Sequence, residues 1–463
     1  MEIRAGRDAP VKPLLELALA PFIRFSQVQS SGGLVLIACT VAALAWANSP
    51  YAPSYFALWE TPISLGFGDL VLSKSLHHWI NDGLMAIFFF MVGLEIKREI
   101  LVGELSSPGQ AALPVAAAAG GMAAPALLFA LFNHDLPSVA GWGIPMATDI
   151  AFALGILSLL GDRIPVSLKV FLAAVAIVDD IGAVLVIAVF YSGDISLAAL
   201  AVGGGIFAAM VLLNFMGARH PAVYAILGAA LWLAFLKSGV HATVAGVLAA
   251  MAIPARTRIG PEDFAAHARR LIDRFESSRA SDRPLLANPA QIAALESLEH
   301  ACQKAGAPLP RLEHGLHPWV AYGIMPLFAL ANAGVRLGGG TGMVLGEPVS
   351  LGIMVGLVAG KQAGIFLTCL AMFRLRLASV PAGLGLGQYY GVACLAGIGF
   401  TMSIFIADLA FGQAGDLGGQ AKVAILAAST VAGILGYLVL LATTRTNGAT
   451  PAQAAPTRAP DLE

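Results

Sequence analysis

Charge is scarce in this sequence. Only 12% of its 463 residues are Asp, Glu, Lys or Arg, about half the share of an average soluble chain, and 58% are hydrophobic. That excludes an ordinary soluble domain and implies an integral membrane protein. The two signs nearly cancel, with a net charge of -1, which argues against a nucleic-acid partner. Cysteine is scarce too. Cys39, Cys302, Cys369 and Cys394 are scattered, with no Cys-x-x-Cys pair, so neither a zinc site nor a disulfide framework is suggested, and no cofactor is implied. The opening MEIRAGRDAPVKPLLELALAPFIRF does not read as a signal peptide. Acids interrupt its charged region, and its short apolar run lacks a small-x-small cleavage site. A basic, partly amphipathic lead-in at the membrane surface is expected instead.

What the chain has in abundance is apolar runs long enough to cross about 30 Å of hydrocarbon. Twelve candidate spans fall near 32–49, 78–101, 109–132, 137–160, 166–191, 196–217, 220–237, 240–254, 316–335, 349–373, 387–411 and 418–443. The fold class is therefore an all-α polytopic membrane protein. An even count puts both termini on one side. Nearly all Lys and Arg fall on the termini and even-numbered connections, leaving Lys74, Lys237, Arg336 and Lys422 opposite and Lys361 inside a span. Positive charge marks the cytoplasmic side, so both termini are expected there.

The domain reading follows: a cytoplasmic segment 1–31, spans one to eight over 32–254, a cytoplasmic insert 255–315, spans nine to twelve over 316–443, and a disordered tail 444–463. Between the first two spans, ETPISLGFGDLVLSKS alternates apolar residues around a Gly-Phe-Gly-Asp turn, which predicts a small external β-hairpin at about 61–76. Its exposed edge suits pairing with a second copy, so a homodimer is an expectation; the other partner is membrane lipid. In the insert, Phe264, Ala268, Leu271, Ile272 and Phe275 share one helical face, and Ile292, Leu295 and Leu298 repeat the spacing after an Asn-Pro cap. A helical pair is expected.

Against this apolar background a few charges stand out. AIVDDIGA places Asp179 and Asp180 side by side in the fifth span, where each aspartate costs roughly 2.5–3.5 kcal/mol on an insertion scale. PMATDIAFALG places Thr148 and Asp149 in the fourth span just after Pro145, whose missing N–H favours a break. The eleventh span carries a counterpart in GIGFTMSIFIA, with Gly397 and Gly399 around Ile398. Broken spans in the middle of triplets 3–5 and 10–12 are the signature of inverted repeats with two interrupted helices crossing at mid-membrane. Lys361, in the tenth span, needs a carboxylate partner, and Asp179, Asp180 and Asp149 are all candidates. One lysine cannot neutralise three carboxylates. At least one must hold a proton, water or a cation, and a proton and a hard cation such as Na⁺ then become alternatives at the same oxygens. Asp149, Asp180 and Thr148 are able to supply oxygens for it. Exchange of this kind needs no covalent chemistry, so the protein is not read as an enzyme.

HWINDGLMAIFFFMVGLEIKRE, PMATDIAFALG, AIVDDIGA, LKSGVHATVAGV, LEHGLHPWVAYGIMPLFALANAGV and GIGFTMSIFIA stand in this order and resemble motifs of the NhaA family of bacterial Na⁺/H⁺ antiporters. The likeness covers about 30–445 apart from the insert. That family is itself an example of the inverted-repeat architecture, so pattern and resemblance form one argument. The resemblance implies electrogenic expulsion of Na⁺ or Li⁺ in exchange for external protons, from the bacterial inner membrane, switched on at alkaline pH. It implies that Asp180 is the central cation- and proton-binding aspartate and that Asp179 pairs with Lys361. Thr148 and Asp149 would balance the half-helix dipoles, with Asp149 near the cation path. Glu95, Glu99, Glu313, His314 and His317 match the pH-sensing region; as residues alone they read equally well as interfacial charges beside Lys97 and Arg98. His241 reads as a packed or interfacial histidine, and Asp82 as a helix cap in preference to part of an external cation entrance. One departure is GKQAG, where the family often has Gly-Lys-Pro, which leaves the bend beside Gln362 open. Another is the longer insert.

Two rivals come from other classes. Gly66–Asp69 fits the Gly-x-Gly-Asp pattern of intramembrane aspartyl proteases, but it lies in the hairpin, and no Tyr-Asp partner motif occurs in the chain. A passive cation channel would also line a path with carboxylates, but it needs neither a competing lysine nor paired broken helices.

Overall fold

The computed structural model describes residues 14–67, 70–255, 260–278, 288–336, 345–378, 384–412 and 416–444. The tail expected to be disordered and the Gly68–Asp69 end of the hairpin turn lie outside them. The described chain is mostly helical. Five helices are each long and apolar enough to cross a membrane: Pro108–Asn133, Val166–Phe190, Leu197–Phe215, Pro348–Arg374 and Asp416–Thr444. Three bent pairs pass the same test together. Shorter apolar helices, Pro221–Leu236 and Thr243–Ala252, pack beside them. The Leu14–Ala47 helix runs without interruption across residues 31 and 32, where the lead-in and the first span were divided.

Two of the bent pairs matter most. In the first broken span, a 3-10 run Pro137–Met146 meets the helix Ile150–Leu159 at 41°. Ala147 and Asp149 between them are extended, and the Asp149 side chain accepts from Phe152 N at 3.0 Å to start the second half. In the second broken span, Leu386–Ala396 meets Phe400–Phe411 at 42° across Gly397, Ile398 and Gly399. Gly397 is needed for close approach: a Cβ there would stand 2.6 Å from the Leu357 carbonyl oxygen.

The unbroken Val166–Phe190 helix carries Asp179 and Asp180 near its middle. The lysine helix is regular over Pro348–Val355, widens to a π turn at Gly356–Gly360, and resumes from Lys361 to Arg374. It continues through Gln362; the irregularity sits in the turn before Lys361, of the kind that marks functional sites. This helix presses on Pro108–Asn133 through glycines. A Cβ on Gly364 would lie 2.2 Å from the Gly120 carbonyl oxygen, and one on Gly120 would lie 2.6 Å from that of Gly364. Membrane helices approach closely where such small residues meet.

The hairpin is present, with Pro62–Phe67 pairing antiparallel to Leu70–Ser75. Before it lies a helix that the sequence reading passed over, Ala52–Glu60, turned 114° from the helix before it. Tyr55 anchors it, donating to the Leu330 carbonyl at 2.7 Å and accepting from Gly334 N at 3.1 Å.

In the insert, Pro261–Ser277 and Pro289–Ala305 pack on each other, and Asn288 caps the second by accepting from Ala290 N and Gln291 N. Leu271 is buried, but Ile272 and Leu295 are 45% and 49% exposed. The rest of the shared apolar face, Phe264, Ala268, Phe275, Ile292 and Leu298, is half-buried. The pair also closes on Ala294, Ala301 and Gln291, whose amide donates to the Phe275 carbonyl at 3.3 Å.

The glycine contact between the lysine helix and its neighbour yields a stability test. Gly364→Val is expected to destabilise the protein by about 1–3 kcal/mol, as overpacking does, and to lower its melting temperature in detergent. Gly109→Ala on the same neighbour helix, with open space at its Cβ, is expected to change stability by no more than about 0.5 kcal/mol.

Candidate functional site

The two broken spans cross and complete each other. Each exposes carbonyls at the end of its first half and N–H groups at the start of its second, groups that a continuous helix would have paired. Thr148 Oγ1, with one proton to give, stands 2.9 Å from the Ala396 carbonyl and 2.6 Å from Asp179 Oδ2, and Asp149 N donates to the Ile398 carbonyl at 2.7 Å. In return Ser403 Oγ donates to the Ile144 carbonyl at 2.7 Å. Asp149 serves both positive ends. Its Oδ1 caps its own half-helix, while Oδ2 accepts from Thr401 N at 3.1 Å and from Thr401 Oγ1 at 2.5 Å. A carboxylate between two helix N-termini is favourably placed with respect to both dipoles.

Lys361 reaches the same crossing with no exposed surface. Its ammonium stands 2.6 Å from Asp179 Oδ2 and donates to the carbonyl of Met146, the last residue of the 3-10 run. Thr148 Oγ1 also meets Asp179 Oδ2 at 2.6 Å. Asp179 Oδ2 is therefore doubly held, while its Oδ1 is buried with no hydrogen-bond partner. Asp180 differs. It is 3% exposed, and among the described residues no hydrogen bond or ion pair engages its carboxylate. It lies within electrostatic range of Asp179, Glu95, Asp149 and Lys361.

A second cluster gathers around Arg98, whose Nε lies 3.0 Å from Glu313 Oε1 and whose Nη1 lies 2.8 Å from Glu99. Glu313 lies in the first half of the helix Pro308–Trp319, ahead of the apolar stretch that begins at residue 316. Burial raises its carboxyl above the usual range, against the opposing pull of Arg98. Glu95 is 2% exposed, and its Oε1 has no hydrogen-bond partner. With His317 it lines a cavity of about 30 Å³, room for a water molecule. His314 sits on the exposed side, with Nδ1 2.6 Å from the Pro310 carbonyl. Lys97 turns elsewhere, donating to the Met251 and Ile253 carbonyls at the end of Thr243–Ala252.

At the hairpin end a cavity of about 610 Å³ is lined by His77, Asn81, Asp82, His241 and Asp408, among others. Asp82 is not a cap. It lies within the π turn Trp79–Leu84, with Oδ1 3.6 Å from His241 Nε2; the local cap is Ser75, which accepts from His78 N. His241 packs edge-on against Phe405 and contacts Thr243 Oγ1 at 2.8 Å. Asp408 pairs with Lys422 at 2.8 Å. Thr401, Ser403 and Asp408 were all missed in the sequence. Thr401 and Ser403 stood inside the quoted GIGFTMSIFIA, and their spacing from Gly399 was the available signal.

Apolar helices enclosing ionisable side chains where two broken spans cross define a multi-pass membrane protein, and such an arrangement is found in secondary transporters. A sequence model described as Na⁺/H⁺ antiporter 1 matches residues 23–440. A protein named Na(+)/H(+) antiporter NhaA from Oleidesulfovibrio alaskensis is 56% identical over 426 residues, covering 92% of this chain and 94% of that protein. Another of that name from Koribacter versatilis is 50% identical over 94% of both chains. Na(+)/H(+) antiporter NhaA 2 of Sorangium cellulosum is 48% identical over 94% of this chain and 92% of its own. The chain belongs to the NhaA family of Na⁺/H⁺ antiporters.

Breaking a buried pair leaves one charge stranded, at a cost of about 3–5 kcal/mol. Lys361→Ala is therefore expected to lower thermal stability sharply. Lys361→Ala with Asp179→Ala, which removes both charges, is expected to be more stable than Lys361→Ala alone. Melting of the purified proteins in detergent checks both.

Proposed function

We propose that the protein is an electrogenic antiporter that expels Na⁺ or Li⁺ in exchange for external protons, under pH control, serving sodium and pH homeostasis. The observation that carries this reading is the inequality of the two neighbouring aspartates. Asp179 is committed through Oδ2 to Lys361 and Thr148, whereas Asp180 is buried and, among the described residues, no hydrogen bond or ion pair engages it.

An ionised carboxylate away from water is tolerated only when neutralised. For Asp180 the neutraliser is a proton or a cation, never both at full occupancy. Hard oxygens suit an alkali cation, and the Asp180 carboxylate and Asp179 Oδ1 are the oxygens we assign to it. A cation that draws Asp179 toward itself weakens the hold on Lys361, which then releases its proton more readily. Exchange at Asp180 alone moves one charge each way; a second proton from the Asp179–Lys361 pair makes the cycle electrogenic. Thr148 and Asp149 hold the half-helices together and place Asp149 charge near the path. Rocking of the repeats exposes the site to each side in turn, with no covalent step and no cofactor.

Twelve spans, inverted repeats at 3–5 and 10–12, an inner-membrane location and cytoplasmic termini complete the reading, with dimerisation through the hairpin edge. Glu95, Glu99, Glu313, His314 and His317 form the pH-sensing region. Asn in place of Asp180 binds neither proton nor cation by charge. In everted vesicles, Na⁺ should collapse a pre-formed ΔpH with the wild type and not with Asp180→Asn, across about pH 6.5–9. Equal responses would remove Asp180 from the mechanism, and a wild type indifferent to Na⁺ would remove the exchange itself. For the sensor, Glu313→Gln fixes the uncharged form favoured at low pH. Its activation in the same assay should move to higher pH; an unchanged profile would remove Glu313 from pH control.

A further inference from the structure

Asp149 follows Thr148, whose hydroxyl stands 2.6 Å from the carboxylate of Asp179, the neighbour of Asp180, yet its own oxygens are already occupied. Oδ1 accepts from Phe152 N, and Oδ2 accepts from both the amide and the hydroxyl of Thr401. The amide bonds require only that the two half-helices start where they do. The hydroxyl is an addition. Among the described residues its only bonded partner is Asp149, at 2.5 Å, and Thr401 has no exposed surface. Ser403, two residues on, behaves differently: its hydroxyl supplies the Ile144 carbonyl, a backbone need. No comparable backbone need accounts for the Thr401 hydroxyl.

We propose that Thr401 is a positioning residue for ion exchange: its hydroxyl holds the Asp149 carboxylate charged at the crossing, close enough to attract the cation but unavailable to ligate it. The inference rests on the antiport reading and on the exchange site at Asp180. A carboxylate buried among apolar helices keeps its charge only through donors, and donors to an ionised group are the strong ones. With the hydroxyl gone, Asp149 retains the two amides and loses its third donor, and its charge is held less firmly. Cation binding at Asp180 then loses part of a favourable field. The rate at which the repeats rock does not depend on that field, so the effect falls on half-saturation more than on maximal rate.

Thr401→Val keeps the shape and deletes the hydroxyl; Thr401→Ser keeps the hydroxyl and deletes the methyl. Na⁺-driven ΔpH collapse in everted vesicles is titrated for both, each also combined with Asp149→Asn. Thr401→Val should raise the half-saturating Na⁺ concentration about tenfold, the scale of one hydrogen bond to a charged group, with a much smaller change in maximal rate. Thr401→Ser should restore it, and Thr401→Val should add little once Asp149 is Asn. Thr401→Ala takes the place of the valine variant if the latter is absent from the membrane. The proposal fails if the hydroxyl-free variants titrate like wild type, if Thr401→Ser is equally impaired, or if the effect persists in Asp149→Asn. A wild type indifferent to Na⁺ overturns it together with the antiport reading, whereas a responsive wild type with unaffected variants overturns it alone.

Discussion

An ammonium without exposed surface is one of the most expensive groups a membrane protein can contain, and Lys361 is such a group. Its partners explain how it persists. One is the Asp179 carboxylate, and the other is the carbonyl of Met146 at the end of a half-helix, where the helix dipole is negative. Remove the break in the fourth span and Met146 becomes an interior residue with its carbonyl committed. The lysine would then lose a partner. The buried charge and the broken helix therefore depend on each other.

The same logic extends around the crossing. A span interrupted inside hydrocarbon would leave several backbone groups unpaired, each at a cost of several kcal/mol. Here one broken span supplies what the other lacks: Thr148 and Asp149 N serve the carbonyls of Ala396 and Ile398, and Ser403 serves that of Ile144. Phe400 N is met from outside the pair by Ser429 Oγ on the Asp416–Thr444 helix. Polar side chains are thereby fixed at a point where no lipid or bulk water is needed to satisfy them. Among the described residues, Asp179 Oδ1 is left at the crossing without a hydrogen-bond partner.

Much of this was legible because hydrocarbon punishes local exceptions so heavily. Asp179, Asp180, Asp149 and Lys361 stand out against apolar neighbours, and Pro145 and the Gly397–Gly399 pair announce breaks by backbone chemistry alone. The hairpin was legible from strict alternation. Other features left weaker marks. Thr401 and Ser403 are small and common in membrane helices, so nothing local separates a bridging hydroxyl from one returned to its own backbone. The π turn before Lys361 has no composition of its own. The Ala52–Glu60 helix is too short for a periodic signal, and its anchor Tyr55 finds partners far along the chain at Leu330 and Gly334. In the insert, apolar spacing announced the helical pair but not its details: Leu271 is buried and Ile272 and Leu295 are exposed, while Ala294, Ala301 and Gln291 are buried without standing in the apolar pattern.

The central claim is that proton and cation exclude each other at Asp180. Its most direct test is proton release on adding Na⁺ to the purified protein in weakly buffered detergent solution at a pH where the site is partly protonated. The account requires that Na⁺ binding expel protons from the wild type and that Asp180→Asn neither bind Na⁺ nor release them. Na⁺ binding to the wild type with no proton released would contradict it.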